Sequence, residues 1–133
     1  MKASETNFSI NKWYEEKSLL EFHWINQESQ TMKLSDFEEA LLNYVDLVKK
    51  YQPSSVLVNA ETLSFAIVPE VQHWVDQSIN AVTNMIVKKM AVILPQTLIE
   101  QLSIEQVLDE KEAKKFASNF FSDYQEAIHW LIP

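Results

Sequence analysis

Three histidines, each followed directly by a tryptophan, supply the side chains that a metal site or a proton-transfer site would use. His23 lies in a predicted strand, and His73 and His129 lie in two separate predicted helices. A residue beside a core tryptophan points to the opposite face of a strand, or about 100° around a helix, and so falls at the rim of the core. We therefore interpret the three histidines as rim neighbours of buried tryptophans, and we expect no metal site.

Neighbouring carboxylates are the second set of candidates for acid–base chemistry. Such chemistry needs a cleft that perturbs their pKa values. Most of these groups lie at predicted helix starts or on polar faces, where they cap and solvate helices. No serine has the flanking glycines of a nucleophile elbow. We predict no catalytic residue and interpret the protein as not an enzyme, with an unrecognised carboxylate site as the alternative. The groups concerned are Glu15/Glu16, Glu38/Glu39 and Asp109/Glu110/Glu112.

A polar cluster follows the predicted buried strand of residues 55–60. It consists of Asn59, Glu61, Thr62 and Ser64. Ligands in open α/β sheets bind beyond the carboxyl ends of the strands, and the N-terminus of the next helix would favour an anion there. This loop is therefore the place where we expect a small ligand or a phosphate, if it is more than a polar connection.

The same loop continues with an apolar run, residues 65–68, which begins at Phe65. An apolar run in a loop is a usual place for a partner contact or for the lid of an apolar cavity, and the sequence leaves both interpretations open. We predict ligand or partner contacts at the four polar residues named above and at Phe65.

The composition excludes several classes of function. Among the 133 residues there is no glycine and no cysteine, which excludes Gly-rich phosphate loops, disulfides and cysteine metal sites. All 11 cationic side chains are lysine and the formal net charge is -8, so bidentate phosphate recognition is excluded and nucleic-acid binding is disfavoured. The 47% hydrophobic and 23% charged residues are typical of a globular domain. We expect no cofactor.

The sequence also predicts where the protein works. Residues 1–7 are polar and lack the apolar core of a signal peptide. No run approaches the roughly 20 apolar residues that span a bilayer. We expect a cytoplasmic protein without stable membrane insertion.

Strands and helices alternate along the chain in the predicted order β-β-α-β-α-β-α-β-α. A Ser35 cap precedes the first helix, and Pro69 opens the second. The short strand at 55–60 is apolar on both faces, which indicates a parallel strand inside the sheet. Right-handed crossovers then give a mostly parallel sheet. The predicted strands are residues 8–14, 19–25, 55–60, 90–94 and 116–121, the last at an edge, and the predicted helices are residues 35–51, 69–86, 97–102, 103–111 and 124–131.

Several stretches of this pattern resemble the STAS/SpoIIAA-like families, and more specifically the small stand-alone bacterial SpoIIAA-like or STAS/SEC14-domain proteins. The stretches are residues 14–17, 50–53, 56–59, 68–75, 88–94, 102–107 and 121–131. The resemblance covers nearly the whole chain. It implies one domain over residues 1–133, built as a SpoIIAA-like β-α superhelix. The sheet would have five mostly parallel strands, with an antiparallel N-terminal edge strand and about four to five helices.

The resemblance also implies a function, a non-enzymatic STAS-like module for protein interaction or regulation. Related anti-sigma-factor antagonists carry a regulatory serine after the third strand, in an Asp-Ser-Ser-Gly-like context. Residues 59–64 have neither the paired serines nor the glycine, so Ser64 and Thr62 are looser analogues as phosphorylation sites.

Two further expectations concern ligands and subunits. The related CRAL-TRIO fold binds lipids, so the alternative function is the binding of a small apolar ligand or lipid. In addition, Leu57, Ala91 and Ile93 indicate that the sheet face away from the crossover helices is apolar. The N-terminal segment, the last helix or a second subunit must cover it, and we expect a homodimer. We also expect a protein partner, whose identity the sequence does not give.

Overall fold

The computed structural model of the protein describes residues 1–26, 30–95 and 117–133. Its centre is a sheet whose six strands lie in chain order, antiparallel from β1 to β3 and parallel from β3 to β6. The strands are β1 (Lys2–Thr6), β2 (Ser9–Tyr14), β3 (Leu19–Trp24), β4 (Ser55–Asn59), β5 (Lys89–Ile93) and β6 (Ala117–Phe121).

Helices cover both faces of this sheet. The helical segments are α1 (Leu34–Tyr51), α2 (Pro69–Val75), a π-helix (Asp76–Asn80), α3 (Ala81–Ile86) and α4 (Tyr124–Leu131). The π-helix joins α2 to α3 without a break, so together they form the single helix that the sequence predicts. No helix within the described ranges is long and apolar enough to cross a bilayer.

The prediction of five strands is wrong, because β1 pairs with β2 and makes a sixth. It therefore takes the edge position that the sequence assigned to residues 8–14. Its side chains are mostly exposed, so it is held by backbone pairing and carries no apolar alternation that a pattern could show. The parallel interior position of β4 and the edge position of β6 are confirmed. Phe116 and the helices predicted at 97–111 lie outside the described residues, so the helix count is not tested.

Two turns show how a chain without glycine reverses direction. Ser18 ends the short 3₁₀ helix Glu15–Lys17 with φ 47°, and Gln52 ends α1 with φ 52°. Both are left-handed positions at which glycine is usual. The predicted cap at Ser35 is wrong, since α1 begins at Leu34, one residue before it.

The two faces of the sheet bury different sets of side chains. One face packs against α1, α2 and α3 and forms the larger core. The other carries Leu57, Ala91 and Ile93, which pack against Ala127 and Leu131 of α4. The Lys89 ammonium donates to the Trp130 carbonyl at 2.9 Å and fixes the end of this helix. The last helix thus covers the apolar face, and the reason for expecting a second subunit no longer holds.

Candidate functional site

Residues 61–68 form the loop between β4 and α2, which we call the lid loop. Its side chains point in turn toward the core and toward solvent. Leu63 and Ile67 point inward and are 5% and 6% exposed. Glu61, Thr62 and Ser64 are exposed on the outside. The loop thus has an apolar inner face against the core and a polar outer face toward solvent.

A few hydrogen bonds hold the lid loop at its two ends. The Thr62 hydroxyl donates to the Trp24 carbonyl at 2.8 Å, and the Leu63 amide donates to the Ala60 carbonyl at 3.1 Å. At the other end the buried Gln72 side chain donates to the Ile67 carbonyl at 2.8 Å. Phe65 lies between these anchors, and its ring stacks on Phe37 of α1 at 4.8 Å between centroids.

Beneath the lid loop lies an apolar cavity of about 80 Å³, which we call the lid cavity. Strands β3 to β5 and Ala60 form its floor, α1 forms one wall, and the helix of α2, π-helix and α3 forms the other. The floor residues are Phe22, Trp24, Val58, Ala60, Met90 and Val92, the helical residues are Phe37, Leu41, Tyr44, Val75, Ile79, Asn80 and Thr83, and the lid contributes Leu63 and Ile67.

The polar groups of the lid cavity come from its two helical walls. Tyr44 and Thr83 lie with their hydroxyl oxygens 3.1 Å apart, and the Thr83 hydroxyl donates to the Ile79 carbonyl at 3.0 Å. Burial raises the pKa of Tyr44 to about 12, against the opposing effect of its hydrogen bond with Thr83. Tyr44 therefore stays neutral at physiological pH, and the described lining carries no charge.

The π-helix contributes Ile79 and Asn80 to the cavity wall. It also contains Asp76, which is 3% exposed and whose Oδ1 has no hydrogen-bond partner in the described part of the chain. π-Helical turns are rare and are frequent at functional sites, and a buried carboxylate oxygen without a hydrogen-bond donor costs stability. Both features favour a functional role for this wall.

A second polar cluster lies on the opposite face of the sheet, where α4 crosses β3; we call it the β3–α4 network. Glu21 is 3% exposed. Its Oε1 lies 2.8 Å from Nε2 of His23, and its Oε2 accepts from the Tyr124 hydroxyl at 2.6 Å. Asn59 completes the network, with its side-chain nitrogen 3.1 Å from Nδ1 of His23.

The direction of each hydrogen bond in the β3–α4 network follows from one backbone amide. The Glu61 amide donates to Oδ1 of Asn59 at 3.1 Å, which leaves Nδ2 of Asn59 to donate to His23. Nδ1 of His23 then accepts, so its Nε2 carries the proton and donates to Glu21. With both ring nitrogens occupied, His23 has no free position for a substrate proton, which indicates a structural role.

Glu21 is ionised in this arrangement. Burial raises the pKa of Glu21, but the hydrogen bonds from His23 and Tyr124 and the electrostatic effects of His23 and Lys12 together outweigh burial, so the pKa lies below the ordinary value of 4.5. Burial and the bond to Glu21 raise the pKa of the Tyr124 hydroxyl. The network is thus a carboxylate held by two donors.

The structure divides the residues that the sequence grouped as one site. Asn59 belongs to the β3–α4 network, on the face away from the lid cavity, and only the Glu61 amide joins it there. Thr62 and Ser64 lie on the outer face of the lid loop, and Phe65 is half-buried above Phe37. The alternation of Glu21 and His23 along β3 indicates that they share one face of the strand. No feature of the sequence indicated that Tyr124 would contact them.

The three histidines do not form a cluster. His23 belongs to the β3–α4 network, whereas His73 and His129 are exposed on α2 and α4. In residues 1–26, 30–95 and 117–133 no group of three His, Cys, Asp or Glu side chains is placed to hold a metal ion.

Comparisons of the chain with family models, with curated proteins and with solved structures found no match. The resemblance to the STAS/SpoIIAA-like families therefore stays a prediction.

Proposed function

We propose that the protein is a non-enzymatic binding protein that takes up a small apolar ligand in the lid cavity. The observation that carries the proposal is the cavity itself, about 80 Å³ in size and lined almost entirely by apolar side chains. Protein interiors are close-packed, so side chains that line a space of this size lack dispersion partners on the side that faces it. Ligand sites are typically apolar with a few placed polar groups, which the Tyr44–Thr83 pair supplies.

The size of the lid cavity limits the ligand. An engineered cavity of about 150 Å³ in another protein holds one benzene ring, so the lid cavity has room for about half a ring as it stands. A larger ligand requires the lid loop to move outward. The loop suits such a movement because its hydrogen bonds lie at its ends, while Val68 is 48% exposed and Phe65 is half-buried.

The proposal is tested by ligand-linked stability, with toluene as the neutral apolar probe. A ligand that binds only the folded state raises its stability, by about 1.4 kcal/mol at ten times Kd. Ala60→Leu fills the lid cavity from its floor and should abolish the effect. Ala66→Leu is the matched control, because Ala66 is exposed on the lid loop. No stabilisation of the native sequence by toluene, or equal stabilisation of both variants, would contradict the proposal.

The second candidate is the STAS-like interaction or regulatory module, supported by the outer face of the lid loop. That face exposes Glu61, Thr62, Ser64 and Val68 next to the start of α2. Phosphorylation of the Thr62 hydroxyl would remove its hydrogen bond to the Trp24 carbonyl. The Ser64 side chain is exposed and therefore accessible for phosphorylation. We place this activity in the cytoplasm, in keeping with a chain without cysteine.

A phosphorylation mimic tests this second candidate. Ser64→Glu should change the affinity for a partner protein without changing toluene binding, because the side chain lies on the outer face. A native-lysate pull-down that recovers no stoichiometric partner with either Ser64 or Ser64→Glu counts against the module.

A further inference from the structure

The polar pair in the lid cavity has a defined hydrogen-bond direction. The Thr83 hydroxyl has a single proton, and it donates to the Ile79 carbonyl at 3.0 Å. The 3.1 Å contact between Tyr44 and Thr83 must then use the proton of Tyr44. Tyr44 is thus a donor to the protein, and its own oxygen keeps its capacity to accept.

That acceptor is not used by the part of the chain that the structure describes. Only Thr83 hydrogen-bonds to the Tyr44 hydroxyl there, and in that bond Thr83 is the acceptor. Tyr44 is 2% exposed, so water outside the protein does not reach its oxygen freely. Since Tyr44 and Thr83 both line the lid cavity, the nearest open space to this oxygen is the cavity.

The electrostatics of the same cavity select against ions. Among the described residues its lining contains no lysine, histidine, aspartate or glutamate, and Tyr44 is neutral because burial raises its pKa to about 12. An ion transferred into such surroundings loses its hydration and gains no partner charge. A carboxylate or ammonium on the ligand would therefore stay outside.

From these observations we propose, building on the function proposed above, that the ligand is a neutral apolar molecule with one hydroxyl group that donates a hydrogen bond to the Tyr44 oxygen. The chemical class is a small alcohol or phenol. An ether or ketone of the same shape has an acceptor but no donor, and would leave the Tyr44 oxygen unpaired.

Phenol and toluene test this class because they differ only in a hydroxyl and a methyl group of similar size. Any cost of moving the lid loop is shared by both, so it cancels in the ratio of their Kd values. Transfer from water alone favours toluene. We expect phenol to bind the native protein at least as tightly as toluene, and benzoate not to bind.

Two variants place the preference at Tyr44. Tyr44→Phe removes the acceptor and should shift the ratio of phenol to toluene affinity about tenfold toward toluene. Thr83→Val removes the acceptor of the Tyr44 proton, which becomes free to donate, so the preference should move toward benzaldehyde, which only accepts. Denaturant unfolding shows whether each variant is folded. One folded variant is enough to test the hydroxyl preference.

The results separate this inference from the function on which it rests. Toluene binding with a phenol affinity at least tenfold weaker leaves the binding function standing and overturns the hydroxyl preference. A phenol-to-toluene ratio that does not change in Tyr44→Phe, or a preference that does not move in Thr83→Val, also overturns it. Failure of both toluene and phenol to bind overturns the proposed function.

Discussion

The Tyr124 hydroxyl donates to Oε2 of Glu21 at 2.6 Å, and this hydrogen bond joins the last helix to the third strand across 103 positions of sequence. With the bond from Lys89 to the Trp130 carbonyl it makes up the polar part of the contact between α4 and the sheet, beside apolar packing on Leu57, Ala91 and Ile93. Because Glu21 is buried, loss of a donor leaves part of its charge without compensation.

Tyr124→Phe should lower the free energy of unfolding by about 1.5–3 kcal/mol, the usual range for a hydrogen bond to a charged group. Tyr14→Phe is the matched control. Tyr14 lies on the same face and Glu21 acts on its pKa, but no hydrogen bond to Glu21 is present. The control should cost less than about 0.5 kcal/mol. Equal losses in the two variants, measured by urea unfolding, would mean that the Tyr124–Glu21 bond does not fasten α4.

Stability should also decrease in acid because of Glu21. Its folded pKa lies below 4.5, so it contributes stability above the pKa of the unfolded chain and loses that contribution as the pH falls through the folded value. The groups that face it are Lys12, His23 and Tyr124, with Tyr14 nearby. Glu21→Gln should flatten this part of the stability profile between pH 5 and the acid limit of folding. An unchanged profile would contradict the ionised state of Glu21.

Two asparagines, the buried Asn11 and the partly buried Asn59, should respond in opposite ways to substitution by valine. Asn11 is 1% exposed, and neither its side-chain nitrogen nor its oxygen has a hydrogen-bond partner in the described residues. Asn11→Val should raise the free energy of unfolding by about 1 kcal/mol, since it removes unpaired polar atoms. Asn59→Val should lower it by at least as much, because His23 and the Glu61 amide lose their partner. If urea unfolding shows that both variants lose stability, the interpretation of Asn11 as a side chain without hydrogen-bond partners is contradicted.

A void can be distinguished from a packed core by adding one methylene to each. Val92 lines the lid cavity, whereas Val56, on the same face of the neighbouring strand, does not. Val92→Ile should leave stability the same or raise it by up to about 1 kcal/mol. Val56→Ile should lower stability by about 1–3 kcal/mol through overpacking. Equal destabilisation by the two substitutions would show that the space near Val92 is filled.

The sequence predicted the layout of the fold where local signals were strong. The two-faced apolar strand at β4 and the proline at the start of α2 each specify an element by nearest-neighbour chemistry. It missed β1 because an edge strand with exposed side chains needs only backbone pairing.

The site could be predicted only in part. The apolar run at 65–68 indicated a lid or a partner contact, and the structure places the loop over a cavity. Neither the direction of the Tyr44–Thr83 bond nor the existence of the Tyr124–Glu21 bond could be predicted from the sequence. Both depend on residues far apart in the chain that only the packing of helices on the sheet brings together.

Xenon binding followed by methyl NMR tests the central claim most directly, because xenon is neutral, apolar and small enough to enter a cavity without moving a lid. The methyl signals of Leu41, Leu63 and Val92 around the lid cavity should shift with xenon pressure and saturate. In Ala60→Leu these shifts should disappear, and in Ala66→Leu they should persist. Absence of saturable shifts at these methyls, or shifts confined to Leu57 and Leu131 in the contact between the sheet and α4, would contradict a ligand site under the lid loop.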